Sequence, residues 1–320
     1  MNPHVDDKSP MVSGLGLHNM IRVKNAHLKF FYETPLYYEA GRGFGFEVYK
    51  APRASIKDAR IDNARLPDAL YMHSRDKLTG LKEMQKGLNI QLRSDLKSND
   101  PVCVKNTLIS LVDETIKEPN ADSIQGAVTT MELVFSEYLG NRSVIDKLVN
   151  VIEKDYTTAV HSVNVMSLTL RFCLFCGMQE AETKKLGLAA LLHDVGKVKV
   201  SGKLLKANRK LTDAEFDAVK KHPVFGYDLL KGCNLPEDIC LCALNHHERA
   251  DGSGYPNKIK SITDEAAIIG FIDCYEALTC NERPYRNAVP PYKALSHLKT
   301  ELFQGNFKHK VYEGFVRSLG

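Results

Sequence analysis

The 320-residue chain lacks the marks of several large protein classes. No run approaches the roughly 18 uncharged apolar residues of a membrane helix, so we expect no membrane span. Its first residues show no basic region followed by an apolar one, which argues against a secretory signal peptide. Neither sign of charge dominates, because 43 Lys and Arg face 39 Asp and Glu, for a formal net charge of +4. This balance argues against a DNA or RNA polymer as partner, whereas a small phosphorylated ligand needs only a local basic patch.

Cysteine is sparse, and its placement does not suit disulfides. Eight cysteines occur in the chain, most of them inside apolar helical patterns. That placement is typical of reduced thiols, so we expect a cytoplasmic protein. The length suggests two domains of ordinary size, and 43% hydrophobic residues supply material for a sizeable core.

The chain changes character along its length. Residues 1–27 are polar and punctuated by glycine, and we predict a mobile arm there. Residues 28–140 begin with short aromatic-rich segments, which favour strands, and end in a connecting helix. We predict a small α+β domain, with a regulatory or sensor role. Residues 141–320 show helical periodicity with caps and breakers, so the predicted fold class is mainly α, with an all-helical bundle after the α+β domain.

Seven histidine and aspartate side chains stand in or beside apolar helical runs of the second domain. They are His161, His193, Asp194, His222, His246, His247 and Asp273. Burying ionised carboxylates and imidazoles in such surroundings is costly unless a partner offsets the cost. Metal ions would explain all these burials together, because a cation neutralises the carboxylates and accepts the imidazole lone pairs.

The number of candidate ligands favours two metal ions. Five histidines and two aspartates, with Asp194 or a solvent hydroxide as the bridge, would fill two sites and leave positions open for water. Such a pair lowers the pKa of bound water and clamps a phosphate for in-line attack. Nitrogen and oxygen ligands without thiolate suit iron, manganese or zinc, and the residues alone leave that choice open. A lone helical histidine such as His161 is more often an ordinary polar residue, so the inference depends on the joint occurrence.

Two segments resemble the signatures of the HD-GYP family, a branch of the HD-domain metal-dependent phosphohydrolases. The first is His-Asp-Val-Gly-Lys at 193–197, and the second is His-His-Glu-Arg-Ala-Asp-Gly-Ser-Gly-Tyr-Pro at 246–256. The resemblance implies an HD-type helical bundle and a phosphodiesterase that hydrolyses the bacterial second messenger cyclic di-GMP by attack of a metal-bridging hydroxide. The linear dinucleotide pGpG is the implied main product.

The same resemblance assigns roles to individual residues. The seven side chains become metal ligands, with iron the favoured ion and manganese or zinc the alternatives. Asp194 is implied as catalytic as well, and Lys197 would stabilise charge on the scissile phosphate or protonate the leaving oxygen. The implied substrate contacts are Gly254, Tyr255, Pro256, Arg283 and Arg286. The first three would form a wall of the groove, and the two arginines would pair phosphate oxygens bidentately.

Three departures from the family pattern bear on this interpretation. Thr157 stands where some members carry a Glu that helps to bind a third metal, so we predict a two-metal site. Glu276 replaces the second Asp of the pattern Asp-x-x-Asp that starts at Asp273. The segment before Arg283 is one residue longer than usual, which would displace that side chain from the substrate.

Two other interpretations stay open. With an intact metal site and a displaced Arg283, the chain would be a catalytically weak or inactive protein that binds a cyclic dinucleotide and relays a signal. Alternatively, it would be an HD-type phosphohydrolase that acts on another nucleotide. A regulatory protein partner would dock on the N-terminal domain or on the Gly-Tyr-Pro loop.

Overall fold

The chain divides between Ile90 and Gln91 into a small unit that contains a sheet and a larger helical unit. This computed structural model describes residues 19–40, 45–54, 67–98, 100–138, 143–151, 157–280 and 288–320. The predicted fold class, mainly α with a small α+β part first, is confirmed.

The small unit is built on a four-stranded antiparallel sheet. Its strands are β1 (Met20–Val23), β2 (Leu36–Glu39), β3 (Phe46–Lys50) and β4 (Leu70–His73), in the order β1-β4-β2-β3. Along β4 the side chains alternate between buried and half-buried, as expected where one face of a sheet is covered. Helix α1 (Lys77–Ser98) follows the sheet.

The N-terminal arm is only partly covered by the structure. Residues 1–18 of the predicted arm lie outside the described residues. Its later part is not an arm, because Met20–Val23 forms β1 and pairs antiparallel with β4. The short segment Met-Ile-Arg-Val has too few residues for its alternation to stand out from the polar sequence around it.

The larger unit is helical throughout its described elements. These are α2 (Pro101–Lys117), α3 (Ala121–Tyr138), α4 (Ser143–Asn150), α5 (Thr158–Phe175), α6 (Glu180–Leu192), α7 (Gly202–Leu205), α8 (Asp213–Val219), α9 (His222–Gly232), α10 (Glu237–Asn245), α11 (Asp264–Thr279), α12 (Pro291–Phe303) and α13 (His309–Leu319). A short 3-10 helix, Val195–Lys199, follows α6. Thr212 and Glu215 form a capping box at the start of α8. Helix α13 buries Val311 and Phe315, which stand four residues apart on one face.

Three helices, α5, α6 and α11, pack against one another at the centre of this unit and are buried on almost every face. By length and composition alone α5 could cross a membrane, but 72% of it is buried inside the protein, as in an ordinary core helix. Thr157 caps α5 by accepting a hydrogen bond from the Val160 N–H at 3.2 Å. This cap places the first turn of α5, which carries His161, at the same end of the core as the ends of α6 and α10.

Candidate metal centre

The seven histidines and aspartates singled out from the sequence lie together in the helical unit. His161 is in the first turn of α5, His193 and Asp194 directly follow α6, His222 begins α9, His246 and His247 follow α10, and Asp273 is in α11. All but His247 are buried. Each helix therefore delivers a polar side chain from one of its ends, or from a core-facing position, into a shared interior site.

One half of the site gathers around His161. Its Nε2 lies 3.0 Å from Asp273 Oδ1, 3.3 Å from His193 Nε2 and 3.5 Å from Asp194 Oδ2. His193 Nε2 is also 3.4 Å from the same Asp194 oxygen. Two nitrogens and two carboxylate oxygens thus surround one point.

The other half gathers around His222. Its Nε2 lies 3.2 Å from Asp194 Oδ1 and 3.3 Å from His246 Nε2. His247 completes this group, because its ligand atom lies within 4.8 Å of those of His222 and His246. Asp194 belongs to both halves, with Oδ2 facing the first and Oδ1 facing the second.

The imidazole tautomers are set by backbone carbonyls. The Nδ1 atoms of His193, His222 and His246 lie 2.7 to 2.8 Å from the carbonyls of Ala190, Val219 and Ala243, each three residues earlier. A carbonyl only accepts, so in a neutral ring the proton sits on Nδ1. Each Nε2 therefore turns a lone pair toward the centre of the site.

This donor set fits divalent cations. Buried Asp194 Oδ1 has no assigned hydrogen-bond donor among the described residues, and Nε2 of a His222 ring whose single proton is on Nδ1 would offer it a lone pair. Two ligands that bind one ion at about 2.1 Å lie about 3.0 to 3.4 Å apart in octahedral or tetrahedral geometry. The observed separations between neighbouring nitrogens and oxygens match that spacing. Nitrogen and oxygen donors without sulfur suit first-row divalent metals.

Glu276 supports the first half of the site. Its Oε2 lies 2.5 Å from His161 Nδ1, and its Oε1 accepts a hydrogen bond from Asn164 Nδ2 at 2.8 Å. Glu276 is buried. Carboxylate-to-histidine contacts of this kind orient a metal-binding ring and increase its basicity. The sequence analysis treated Glu276 only as a departure from a pattern, and it missed Asn164.

The electrostatics of the site keep its acids ionised. Burial by itself raises the pKa of Asp194, but Lys197 and His193 outweigh it and hold the pKa well below the usual range. Burial lowers the pKa of His161, yet Glu276 and Asp273 raise it to about 9. For His246 and His247, burial holds the pKa well below the usual range, so these rings are neutral at pH 7. The ionised aspartates and the neutral rings of His246 and His247 are in the forms that bind cations, whereas His161 holds a proton at pH 7 that a bound cation would have to displace.

Lys197 reaches the site from the 3-10 helix. Its Nζ lies 2.5 Å from Asp194 Oδ2, and about a quarter of its side chain is exposed. The ammonium group is thus between the carboxylate and solvent. Gly196 allows the backbone of this 3-10 helix to lie close to α9, because a Cβ there would lie 2.0 Å from the carbonyl oxygen of His222.

The Gly-Tyr-Pro loop is held against the second half of the site. Buried Glu248 accepts hydrogen bonds from the N–H groups of Asn257 at 2.7 Å and Ile259 at 3.1 Å. Two donors on one carboxylate clamp the chain just after Pro256. Glu248 is thus a structural member of the signature to which the sequence analysis gave no role.

Contacts of Gly254 and Tyr255 explain why glycine and tyrosine stand at these two positions of the loop. A Cβ on Gly254 would lie 2.5 Å from three backbone atoms, including the carbonyl oxygen of His247. The ring of Tyr255 stacks on His247, with centroids 4.6 Å apart and planes inclined by 27°. Glycine at 254 thus allows the loop to bring Tyr255 onto a candidate ligand.

Two predicted substrate contacts cannot be placed. Arg283 and Arg286 lie outside the described residues, as do Asn281 and Glu282 directly before Arg283. The structure therefore brings together the metal candidates, Lys197 and the loop of Gly254, Tyr255 and Pro256.

The helical unit matches a known family. The family described as HD domain matches residues 143–305 of this chain. Among solved structures, Bd1817, an HDG"Y"P protein from Bdellovibrio bacteriovorus, aligns with a TM-score of 0.64 over 94% of this chain and 99% of that one. The two sequences are only 17% identical, so this likeness concerns the fold alone.

Two relatives that are named as phosphodiesterases match part of this chain. The chain is 32% identical over 193 residues to cyclic di-GMP phosphodiesterase PA4108 of Pseudomonas aeruginosa, covering 58% of this chain and 45% of the relative. It is 29% identical over 190 residues to 3'3'-cGAMP-specific phosphodiesterase 1 of Vibrio cholerae, covering 58% of this chain and 44% of the relative. The chain thus spans less than half the length of these two relatives.

Proposed function

Since this chain belongs to the HD-domain family, which confirms the resemblance drawn from its two signatures, we propose that it is a metal-dependent phosphodiesterase acting on cyclic di-GMP. The observation that carries the proposal is the position of Asp194. One carboxylate oxygen faces His161 and His193, while the other faces His222 and His246. A bridging carboxylate between two donor groups is the arrangement of a two-metal phosphodiester hydrolase.

We propose two divalent ions, held by the seven side chains in the two groups described above. Iron is our first choice, with manganese and zinc as alternatives, since all three accept mixed imidazole and carboxylate ligands. Ions bound there would supply Lewis acidity toward the phosphate and lower the pKa of a coordinated water. Thr157 caps α5 and offers no carboxylate for a third ion, so we propose two metal ions.

The chain's own residues would orient the diester and manage its charge. Lys197, partly exposed and beside Asp194, is placed to pair with a phosphate oxygen or to give a proton to the leaving oxygen. The loop of Gly254, Tyr255 and Pro256 would form one wall of the groove, and Arg283 and Arg286 are proposed phosphate contacts. Cleavage of one phosphodiester bond yields the linear dinucleotide pGpG, which we propose as the main product.

A metal analysis combined with an assay tests the proposal. The protein, purified without oxygen, is analysed for metals, and the same sample is incubated with cyclic di-GMP while the products are separated. We expect about two ions per chain and pGpG as the main product. Two ions with saturable nucleotide binding and no hydrolysis would favour the sensor interpretation instead. Fewer than two ions in an active sample would contradict the two-metal site.

Another cyclic dinucleotide is the second candidate substrate. The match to a 3'3'-cGAMP-specific phosphodiesterase covers the same share of this chain as the match to PA4108. The two substrates differ in one purine base and share the same two phosphodiesters. The ratio of kcat/KM values for the two nucleotides decides between them, and a ratio above 1 in favour of cyclic di-GMP supports our first choice.

We also propose a division of labour along the chain. Residues 141–320 would carry catalysis, and residues 28–140 would be a regulatory module to which a partner protein docks. Helices α2 and α3 would transmit the signal to α6. Leu111 of α2, Ala127 of α3 and Leu191 of α6 line one small apolar cavity where the three helices meet. The eight cysteines, most of them in helices, suit the bacterial cytoplasm, where cyclic di-GMP acts. Unchanged activity and regulation after removal of residues 1–76 would contradict a regulatory role for the part of this module that contains the sheet.

A further inference from the structure

The segment between Asp194 and His222 carries the excess positive charge of the protein. Residues 195–221, which we call the basic segment, contain eight Lys or Arg and three Asp or Glu, a net formal charge of +5. The whole chain has a net charge of only +4, so the rest of it is slightly negative. From Val195 to Thr212 the segment contains no acidic residue at all.

Both ends of the basic segment are anchored at the candidate metal centre. Asp194 and His222, which flank it in the chain, are buried and lie 3.2 Å apart between Oδ1 and Nε2. Gly196 packs against the backbone of His222 and Gly226. The segment therefore leaves the centre, passes through α7 and α8 on the surface, and returns to the centre.

Most of the positive charge of the segment is not neutralised locally. Arg209 pairs with Glu215 at 2.7 Å, and Lys220 pairs with Asp217 at 2.9 Å. Five exposed lysines form no ion pair with any residue that the structure describes: Lys199, Lys203, Lys206, Lys210 and Lys221. Their charges therefore face solvent on the same segment that carries Lys197.

We propose that the basic segment is an electrostatic capture surface for the cyclic dinucleotide, an inference that rests on the proposed function. The nucleotide carries two phosphodiester charges, and a field of one sign beside a site raises the local concentration and association rate of such an anion. Lysine ammonium groups are mobile point charges and lack the rigid fork of arginine. The segment therefore attracts by charge, while the metal centre and its loop select the substrate.

The test reverses three of the free charges. In Lys203→Glu/Lys206→Glu/Lys210→Glu, kcat/KM for cyclic di-GMP is expected to fall about 10-fold at low ionic strength. Linear GpG has one phosphodiester charge, so the same change in electrostatic potential changes its binding free energy by half as much. A 10-fold effect thus becomes its square root, and the inhibition constant of linear GpG should rise only about 3-fold. Both effects should largely vanish near 0.5 M salt, where the Debye length is only about 4 Å.

The matched control makes the same change of net charge elsewhere. Lys86→Glu/Lys293→Glu/Lys299→Glu alters three exposed lysines of α1 and α12 and should leave both constants within about 2-fold. Metal content and thermal midpoint are compared to show that each variant is folded. An unchanged kcat/KM in the basic-segment variant, or equal losses for the two anions at every salt concentration, would overturn the inference. A parent protein that neither binds nor hydrolyses cyclic di-GMP would instead overturn the proposed function.

Discussion

Oδ1 of Asp194 lies 3.2 Å from Nε2 of His222, and in the neutral ring neither atom has a proton to share with the other. The Nδ1–H of His222 is directed at the carbonyl of Val219, 2.8 Å away. Two lone pairs that face each other at this distance inside a protein repel unless a cation lies between them. This relationship, more than the number of histidines, supports the proposal that the centre binds metal.

Removing the carboxylate charge at Asp194 should disable both halves of the site. In Asp194→Asn we expect metal affinity to fall by more than about 100-fold, since changes one shell further out already cost 10- to 100-fold. Elemental analysis after dialysis measures the loss, and the assay on cyclic di-GMP should show activity lost in parallel. The exposed Asp228→Asn, on α9, is the control. Two ions retained per chain in Asp194→Asn would refute the bridging role.

Stripping the metal should destabilise the fold. Without a cation the buried oxygens and lone pairs of the site remain uncompensated, whereas metal at 1,000 times its dissociation constant adds about 4 kcal/mol to the stability. Thermal unfolding with chelator and with added metal should therefore give a higher midpoint in the metal-loaded sample. Asp194→Asn should show no such difference, and an identical midpoint in both states of the parent protein would count against the site.

Glu276 should tune metal affinity through His161. Glu276→Gln keeps the shape of the side chain but removes the negative charge that lies 2.5 Å from His161 Nδ1. We expect metal affinity, measured in competition with a chelator, to fall about 10- to 100-fold, as it does when other partners of metal-binding histidines are replaced. Glu276→Asp should recover part of it. Glu301→Gln breaks a comparable pair on the surface, with His297 at 3.2 Å, and should change nothing. If Glu276→Gln matched that control, the positioning role would be wrong.

Lys197 should affect the turnover number but not metal binding. Lys197→Met keeps the length of the side chain and removes its charge and its protons. We expect kcat to fall about 100- to 1,000-fold, as when one preorganised charge partner of a transition state is lost. Metal content should stay at the parental value, and Lys86→Met serves as the control. Loss of metal from Lys197→Met would mean that this lysine holds Asp194 in place instead.

Gly254 should tolerate no side chain. In Gly254→Ala the new Cβ would lie 2.5 Å from backbone atoms of His247, Glu248 and Arg249, which cannot move aside as a flexible side chain would. We expect a loss of about 1 to 3 kcal/mol in the free energy of unfolding, the usual cost of overpacking. Gly202→Ala, which meets nothing within 4 Å, is the control in the same denaturant titration. Equal stabilities of the two variants would show that the loop can relax.

Much of the centre could be predicted because its chemistry is local in the chain. His193 with Asp194, and His246 with His247, are neighbours in sequence, and each pair ends an apolar helix. A run of apolar residues that stops at a histidine or an aspartate is readable without a structure, since burial of such groups requires compensation.

What the tertiary structure decided depends on residues far apart in the chain. Glu276 contacts His161 across 115 positions, and no local rule predicts that contact or the orientation of the two oxygens of Asp194. The need for glycine at 254 arises from backbone atoms that approach only after folding. The sequence by itself determined which groups could bind metal, because side-chain chemistry and helical periodicity are local. Helix packing alone decided which of these groups lie together and which side chains position them, because that depends on distances between separate helices.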